Sequence, residues 1–178
     1  SALFQLMQGQ ELQAIERLIL TASGGPFLKL PAAELEKIKP DEALRHPKWR
    51  MGPKISVDSA TMVNKALEVI EAHWLFGVEV ERIDVLVHPQ SIVHSLIALA
   101  DGSQLAQLSV PDMKGPIAHG LMYPAARLPG VMRGLRLAEV GSLDFLPLDP
   151  EQFPAVDLAR AALRAGGAAA AVFNIANE

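Results

Sequence analysis

Apolar residues recur every three to four positions between residues 57 and 76, the spacing of one face of an α-helix. Asp58 and Ser59 stand at the start of this pattern, where their side-chain oxygens could accept from free amides of the first turn. The pattern therefore predicts one helix that begins at Asp58 or Ser59 and ends near Phe76. Polar residues at i, i+3, i+4 and i+7 form a stripe on its other side, which we call the polar stripe: Thr61, Asn64, Lys65 and Glu68.

Short runs rich in Val, Ile and Leu predict the strands of a small sheet. These runs lie at 17–21, 83–87, 92–99 and 104–108. Asp101-Gly102 separates the last two runs and is a typical hairpin turn. The stretch 143–147 is a candidate edge strand.

Helical spacing also predicts shorter helices, which lie at 1–15, 31–38, 112–123, 153–165 and 168–178. Gly9 interrupts the first of them, and 40–53 is predicted to be a loop. Few helices with a small, partly antiparallel sheet favour an α+β fold over a doubly wound one. We expect a two-layer domain, with helices covering a mixed, largely four-stranded sheet, and then the start of a C-terminal helical segment.

The composition excludes several classes of protein. Half of the 178 residues are hydrophobic and a fifth are charged, which is typical of a globular domain with a real core. A net charge of −4 without a basic cluster argues against a nucleic-acid partner. The absence of cysteine excludes disulfides and thiolate chemistry. No apolar run is long enough to span a bilayer and no leader opens the chain, so we expect no membrane partner and a cytoplasmic location.

Common cofactor and nucleophile motifs are missing from the sequence. It contains no G-x-G-x-x-G, no P-loop, no G-x-S-x-G and no H-E-x-x-H. Any nucleotide cofactor must therefore be held mainly outside this chain. A catalytic metal would need carboxylates beyond Glu68, because hard divalent ions take several oxygen ligands.

The polar stripe has two readings at this point. The commoner one is a solvated helix face that carries a weak Lys65–Glu68 pair. The other is a phosphate site with one carboxylate able to bind metal. Thr61 and Asn64 are mediocre helix formers for a plain surface, and the predicted helix start would attract an anion through its amides and dipole.

Three further features carry candidate chemistry. The turn at 22–27 contains Ser23 and paired glycines, which let backbone amides approach an anion, although any turn can contain them. The loop at 40–53 is either a connector or a lid, since it concentrates large side chains between prolines. His88 and His94 lack a third ligand at metal spacing, so we assign them to the core or to an interface.

Several motifs together resemble the family of 1-deoxy-D-xylulose 5-phosphate reductoisomerases. They are SGGPF at 23–27, HPKWRMG at 46–52, KISVDSATMVNK at 54–65, VHPQSIVHS at 87–95, PDM at 111–113 and NIANE at 174–178. The likeness follows the family order through essentially the whole chain, and several long unrelated motifs agree at once.

The resemblance implies an enzyme of non-mevalonate isoprenoid biosynthesis. The family rearranges 1-deoxy-D-xylulose 5-phosphate to a branched aldehyde and reduces it with NADPH to 2-C-methyl-D-erythritol 4-phosphate. The implied cofactors are NADPH and Mg²⁺ or Mn²⁺, with the metal polarising the ketone as a Lewis acid. The implied partners are a phosphosugar substrate and a second copy of the chain in a homodimer.

The resemblance also implies roles for individual residues. The implied substrate contacts are Ser23, His46, Trp49, Ser59, Asn64, Lys65, Glu68 and Met113. His46 and Trp49 would belong to a lid, and Met113 would form an apolar wall. Glu68 would also bind the metal, and Gly52 would contact NADPH. Catalytic roles are implied for Glu68, Lys65 and His46.

The chain departs from the family at both ends. Family members begin with an NADPH-binding domain, which ends in an Asp-Ser-Glu segment that supplies metal carboxylates, and they close with a helical domain. We therefore expect a catalytic and dimerisation domain at 1–150 and a linker with the start of a C-terminal helical domain at 151–178. The chain starts without Met and ends inside a helical pattern, so we expect an excerpt of a longer protein that is inactive by itself.

Two alternatives remain open at the level of sequence. The chain could be a structural or dimerisation module with a non-catalytic phosphate site, in which the strands of 83–108 continue into the sheet of a twin. It could also be a phosphosugar isomerase that acts without nicotinamide.

Overall fold

A mixed five-stranded sheet forms the centre of the protein. A computed structural model describes residues 1–44 and 51–178. The strands are β1 (Ile15–Ala22), β2 (Ile83–Val87), β3 (Val93–Leu99), β4 (Gln104–Leu108) and β5 (Leu146–Pro147). Their order is β4-β3-β1-β2-β5. β1 and β2 are parallel, and the other neighbours are antiparallel. The expected α+β class is confirmed.

The expected strand number was one too low. The fifth strand, β5, pairs through only two residues, Leu146 with Val87 and Pro147 with Leu86. It ends at a proline, which has no amide to extend the ladder. β5 lies inside the stretch 143–147, which the sequence offered as a candidate edge strand, but it is only two residues long.

Eight α-helices surround the sheet in the described residues. They are α1 (Ala2–Met7), α2 (Pro40–Ala43), α3 (Pro53–Ala60), α4 (Val63–Phe76), α5 (Lys114–Met122), α6 (Leu137–Val140), α7 (Ala155–Ala165) and α8 (Ala169–Asn177). Short 3₁₀ helices lie at Leu12–Ala14, Ala32–Lys37 and Val80–Arg82. None of the helices described is long and apolar enough to cross a membrane.

The single helix predicted from Asp58 or Ser59 is wrong, because α3 and α4 are separate. Met62 has a left-handed backbone with φ of 61°, and the Thr61 hydroxyl donates to the Val57 carbonyl over 2.9 Å. Asp58 caps nothing; its carboxylate accepts from Lys54 Nζ at 2.9 Å. Ser59 lies in the last turn of α3. The apolar pattern continues across the two-residue break, so periodicity does not show it.

The predicted loop at 40–53 is also partly wrong. Pro40 starts α2 and Pro53 starts α3, both at the first helical position, where the missing amide costs nothing. Residues 45–50 are outside the described residues.

One hydrophobic core joins α4, α7 and the sheet. Ala66 and Val69 of α4 are fully buried beside Leu18 and Ile83, and Ala159 of α7 is fully buried in the same cluster. Burial of these apolar surfaces supplies the main driving force for folding. The domain boundary after residue 150 stays a prediction. Helix α7 lies beyond that boundary and still packs into this core.

The parallel pair β1 and β2 positions the candidate site. Both strands end at the same edge of the sheet, and α3 and α4 form part of the crossover between them. The turn after β1, the turn after β2 and the first residues of α4 therefore meet at one edge. Ligands commonly bind beyond the carboxyl ends of such strands.

Candidate functional site

A cavity of about 520 Å³ lies at this edge of the sheet. Six of the residues expected to form a site line it: Ser23, Ser59, Asn64, Lys65, Glu68 and Met113. They come from three parts of the chain that are distant in sequence, namely the turn after β1, the adjoining helices α3 and α4, and the segment before α5. The fold therefore brings together side chains that sequence spacing could relate only within α4.

The first turns of α4 contribute a hydrogen-bonded trio. Lys65 Nζ donates to Glu68 Oε2 over 2.6 Å, and Asn64 Nδ2 donates to Glu68 Oε1 over 3.1 Å. The Lys65 side chain is only 12% exposed and that of Glu68 is 36% exposed. A lysine on a solvated helix face would be far more exposed. Two N–H groups of the ammonium remain for other acceptors, because an ammonium has three.

Thr61 does not belong with this trio, which corrects the polar stripe. Because α3 ends before it, Thr61 bonds back to α3 and lines a different, larger cavity of about 710 Å³ between α3, α7 and α8. The polar stripe therefore retains three of its four members at the 520 Å³ cavity.

The turn after β1 packs directly against the end of α3. Gly24 and Gly25 have φ of 93° and 64°, which a residue with a side chain rarely adopts. A Cβ on Gly25 would lie 3.0 Å from the Ser59 carbonyl oxygen and 3.2 Å from Ala60 Cα. This close approach brings Ser23 and Ser59 to the same cavity.

The turn after β2 and the start of β3 add residues that the sequence interpretation missed. Ser91 and His94 line the cavity, although His94 was assigned to the core or an interface and Ser91 was not singled out. Ser91 follows β2 at the edge where Ser23 follows β1, so a known strand order would have indicated it. His88 is fully buried, as expected for a core residue.

His94 is half-buried, and its Nε2 lies 2.9 Å from Ser109 Oγ. Burial lowers the pKa of this imidazole below its usual range, and the nearby Lys65 ammonium lowers it further. The neutral form is therefore favoured at neutral pH. Ser109 donates its own proton to the Val110 carbonyl, so His94 donates from Nε2.

One expected site residue that the structure describes, Gly52, does not line the cavity. Gly52 lies exposed at the start of α3, where its carbonyl accepts from Ser56, and it does not line the cavity. Its neighbours Met51 and Ile55 do line it. His46 and Trp49 are outside the described residues.

The described residues do not assemble a metal site by themselves. Within 1–44 and 51–178, no three His, Asp or Glu side chains cluster closely enough to hold an ion. Glu68 is the one carboxylate among the described residues that line the cavity, whereas Mg²⁺ takes about six oxygen ligands. The sequence around the exposed Gly52 contains no dinucleotide-binding motif.

A further cavity of about 560 Å³ adjoins the 520 Å³ cavity, and both are lined by Glu68, His94 and Met113. Ser1 and Gln5, at the beginning of the chain, form part of its wall. The start of the chain and Glu68 therefore lie at one cavity.

Comparison with known proteins gives a consistent set of matches. Residues 1–76 match the family model "1-deoxy-D-xylulose 5-phosphate reductoisomerase C-terminal domain", and residues 108–178 match "DXP reductoisomerase C-terminal domain". The chain is 54% identical over 178 residues to a 1-deoxy-D-xylulose 5-phosphate reductoisomerase of Chlorobium phaeovibrioides. It is 55% identical over 181 residues to one of Cupriavidus metallidurans. All of this chain and 46% of each relative are covered, so it spans about half their length.

Solved structures of reductoisomerases also match nearly the whole chain. The reductoisomerase of Zymomonas mobilis in complex with NADPH superimposes with a TM-score of 0.90 at 43% identity. A DOX-P reductoisomerase in complex with NADPH, fosmidomycin and magnesium gives 0.89 at 45% identity. Each match covers 98% of this chain and 45% of the solved chain.

Proposed function

Since the chain belongs to the 1-deoxy-D-xylulose 5-phosphate reductoisomerase family, we propose that it forms the substrate-binding part of that NADPH-dependent enzyme of isoprenoid biosynthesis. The whole enzyme would convert 1-deoxy-D-xylulose 5-phosphate to 2-C-methyl-D-erythritol 4-phosphate. The observation that carries the proposal is the cavity that Ser23, Ser59 and the α4 trio line together.

The substrate phosphate would bind where the two turns meet α4. Lys65 supplies a charge-assisted donor, Asn64 an amide donor, and Ser23 and Ser59 hydroxyl donors. The first turn of α4 adds backbone amides and the positive end of the helix dipole. Ser91 is a further hydroxyl at the same cavity. Donors of this kind suit a dianion that has to be held without a metal.

Glu68 has two tasks in this proposal. Its carboxylate orients the Lys65 ammonium and the Asn64 amide, which keeps both donors at the cavity. It would also contact the sugar part of the substrate and contribute one ligand to a metal. The remaining ligands would come from outside these 178 residues; Ser1 and Glu68 lie at one cavity, so a segment preceding Ser1 would enter beside Glu68.

The proposed cofactors are NADPH and Mg²⁺ or Mn²⁺, held largely by other parts of the enzyme. Relatives have been solved with NADPH and with magnesium. Gly52 as an NADPH contact, and His46 and Trp49 as lid residues that exclude water, remain part of the proposal. Met113 would form an apolar wall, and it is exposed enough at 58% to be covered by a ligand.

A binding titration with a matched pair of lysines tests the phosphate site. Lys65→Gln should weaken binding of 1-deoxy-D-xylulose 5-phosphate to this chain by about ten-fold or more, because a charge-assisted bond is lost. Lys54→Gln is the control, since Lys54 also pairs with a carboxylate but is 44% exposed and outside the cavity. Equal effects of the two substitutions in calorimetry would contradict the site.

A turnover assay tests whether this chain catalyses the reaction without the rest of the enzyme. This chain with Mg²⁺, NADPH and substrate should oxidise no NADPH above background, because its described residues place a single carboxylate at the cavity and its sequence contains no dinucleotide-binding motif. Measurable oxidation would refute the expectation of inactivity. Rearrangement of the substrate without NADPH would instead support the alternative of an isomerase that needs no nicotinamide.

A role in dimerisation is the second candidate, and it is compatible with the first. β4 is an edge strand, and its residues 104–106 are exposed. An exposed edge offers unpaired backbone groups to the same strand of a twin. The cytoplasmic location and the absence of a nucleic-acid partner remain predictions.

A further inference from the structure

The turn after β2 is held by a histidine that the proposed chemistry does not use. His88 is fully buried, and both of its ring nitrogens are committed. Nε2 accepts a hydrogen bond from the backbone N–H of Ile92 at 3.1 Å, and Nδ1 lies 2.8 Å from the Asp144 carbonyl oxygen. An imidazole that accepts at Nε2 carries its proton on Nδ1, so His88 is neutral and donates to Asp144.

The residue between these contacts is under conformational constraint. Ser91 has φ of 55°, a left-handed conformation that residues with a side chain rarely adopt. Its own N–H donates to the His88 carbonyl at 3.0 Å, and the next N–H, of Ile92, donates to the His88 ring. The two bonds fix the peptides on both sides of Ser91. Unusual backbone at a cavity wall often has a functional reason.

His88 also ties this turn to its neighbours. Its backbone N–H donates to the Ala22 carbonyl at 2.7 Å, directly before Ser23. Phe145 stacks on the ring with centroids 4.7 Å apart. Gln90 and Asp144 bond to each other beside the stack. The imidazole therefore sits where the turns after β1 and β2 meet the segment before β5.

We propose that His88 is a positioning residue, which holds Ser91 in the cavity wall through the hydrogen bond between Ile92 N–H and Nε2. The inference rests on the proposed function, because the position of Ser91 matters for binding only if the cavity accepts a phosphate. His88 is itself among the residues that line the cavity, but it is fully buried, so we expect it to act through Ser91.

Two substitutions distinguish the contribution of Nε2 from that of Nδ1. His88→Gln can place an acceptor where Nε2 lies, whereas His88→Asn reaches only the position of Nδ1. With inorganic phosphate as the probe, we expect His88→Asn to raise the dissociation constant about ten-fold and His88→Gln to change it less than about two-fold. Ile97→Val, a fully buried substitution on β3 outside the cavity, controls for lost packing.

A double substitution shows whether His88 acts through Ser91. Ser91→Ala should weaken phosphate binding about as much as His88→Asn, and the combined variant should be no weaker than either. Additive losses would overturn the inference, and so would His88→Asn binding as tightly as the unaltered chain. Equal weakening by His88→Asn and His88→Gln would reduce His88 to a packing residue.

Amide hydrogen exchange keeps the inference distinct from the proposed function. In His88→Asn the Ile92 amide should exchange at least about ten-fold faster than in His88→Gln, whether or not phosphate binds. If the unaltered chain binds no phosphate, the phosphate site fails while the exchange of Ile92 still decides the role of His88. Unchanged exchange of Ile92 in His88→Asn would refute that role.

Discussion

Lys65 and Lys54 show what distinguishes a site lysine from a surface lysine in this protein. Each lysine pairs with a carboxylate on its own helix. Lys65 Nζ lies 2.6 Å from Glu68 Oε2 on α4, and Lys54 Nζ lies 2.9 Å from Asp58 Oδ2 on α3. The Lys54 side chain is 44% exposed, and that of Lys65 is 12% exposed at a cavity. Burial reduces solvent screening, so an anion beside Lys65 interacts more strongly than one beside Lys54. The spacing in sequence is similar for both pairs, so the sequence does not show that one lysine is buried at a cavity and the other exposed.

Gly25 gives a test at the residue scale, with Gly77 as its matched control. The two glycines have nearly the same φ, 64° and 63°, but a Cβ on Gly77 would meet nothing within 4 Å. Gly77→Ala should cost about 1–2 kcal/mol of unfolding free energy for the left-handed backbone. Gly25→Ala should cost about 1–3 kcal/mol more, because its Cβ would press on Ser59 and Ala60.

Urea unfolding of both variants measures this difference. Gly25→Ala should also weaken phosphate binding, since the turn and α3 would separate. Equal losses of stability in the two variants would show that the turn does not pack on α3 as described.

His94 gives a pH-dependent test. Burial lowers its pKa in the folded state, so the unfolded chain binds a proton more readily as the pH falls below about 6.5. The stability that this residue contributes is full above that value and decreases as the pH falls towards the folded pKa. When the pH is lowered from about 7.5 to about 5.5, the free energy of unfolding of the His94→Gln variant should therefore decrease less than that of the unaltered chain. Parallel urea titrations at the two pH values check this, and identical losses would contradict the buried environment.

At the scale of elements, the pattern of hydrophobic residues predicted correctly the strand bounds that depend on the local sequence alone. The bounds of β2 and β4 follow from hydrophobic alternation, and their ends agree with the predicted ones. The break between α3 and α4 did not follow, because it depends on Met62 in a left-handed conformation and on Gly25 from a distant turn. The motif resemblance could identify Ser59 as a site residue but not the end of the helix that carries it.

α7 gives a test of the core at the scale of elements. Ala159 is fully buried against the cluster that contains α4, whereas Ala161 on the same helix is exposed. Ala159→Leu should lower the unfolding free energy by about 1–3 kcal/mol through overpacking. Ala161→Leu should change it by less than about 0.5 kcal/mol. Similar effects of both in urea unfolding would indicate that α7 is not part of this core.

At the scale of the whole molecule, the strand order assembles the site. β1 and β2 are neighbours although residues 23–82 separate them, and this brings the turn that contains Ser91 beside the turn that contains Ser23. Sequence alternation gives strands but not their order, so Ser91 and His94 were missed. The expectation from the missing motifs, that this chain contributes few metal ligands and nucleotide contacts, stays a prediction.

The exposed edge of the sheet gives a test of assembly. Leu105 on β4 is 37% exposed, and a charge there should oppose pairing of two edges. If β4 forms the dimer contact, Leu105→Lys should shift the chain from dimer to monomer in analytical ultracentrifugation. Leu121→Lys on α5, at a residue that is 81% exposed, is the control and should leave the dimer intact. A monomeric unaltered chain would contradict the dimer proposal.

The most direct test of the account is an NMR titration of the ¹⁵N-labelled chain with 1-deoxy-D-xylulose 5-phosphate. The predicted result is saturable shifts of backbone amides in the turn after β1 and in the first turn of α4, at Ser23, Asn64 and Lys65. Shifts elsewhere should be small, including those around Thr61 in the larger apolar cavity. Shifts spread over the surface, or an unaffected first turn of α4, would contradict the claim that these residues form one phosphate site.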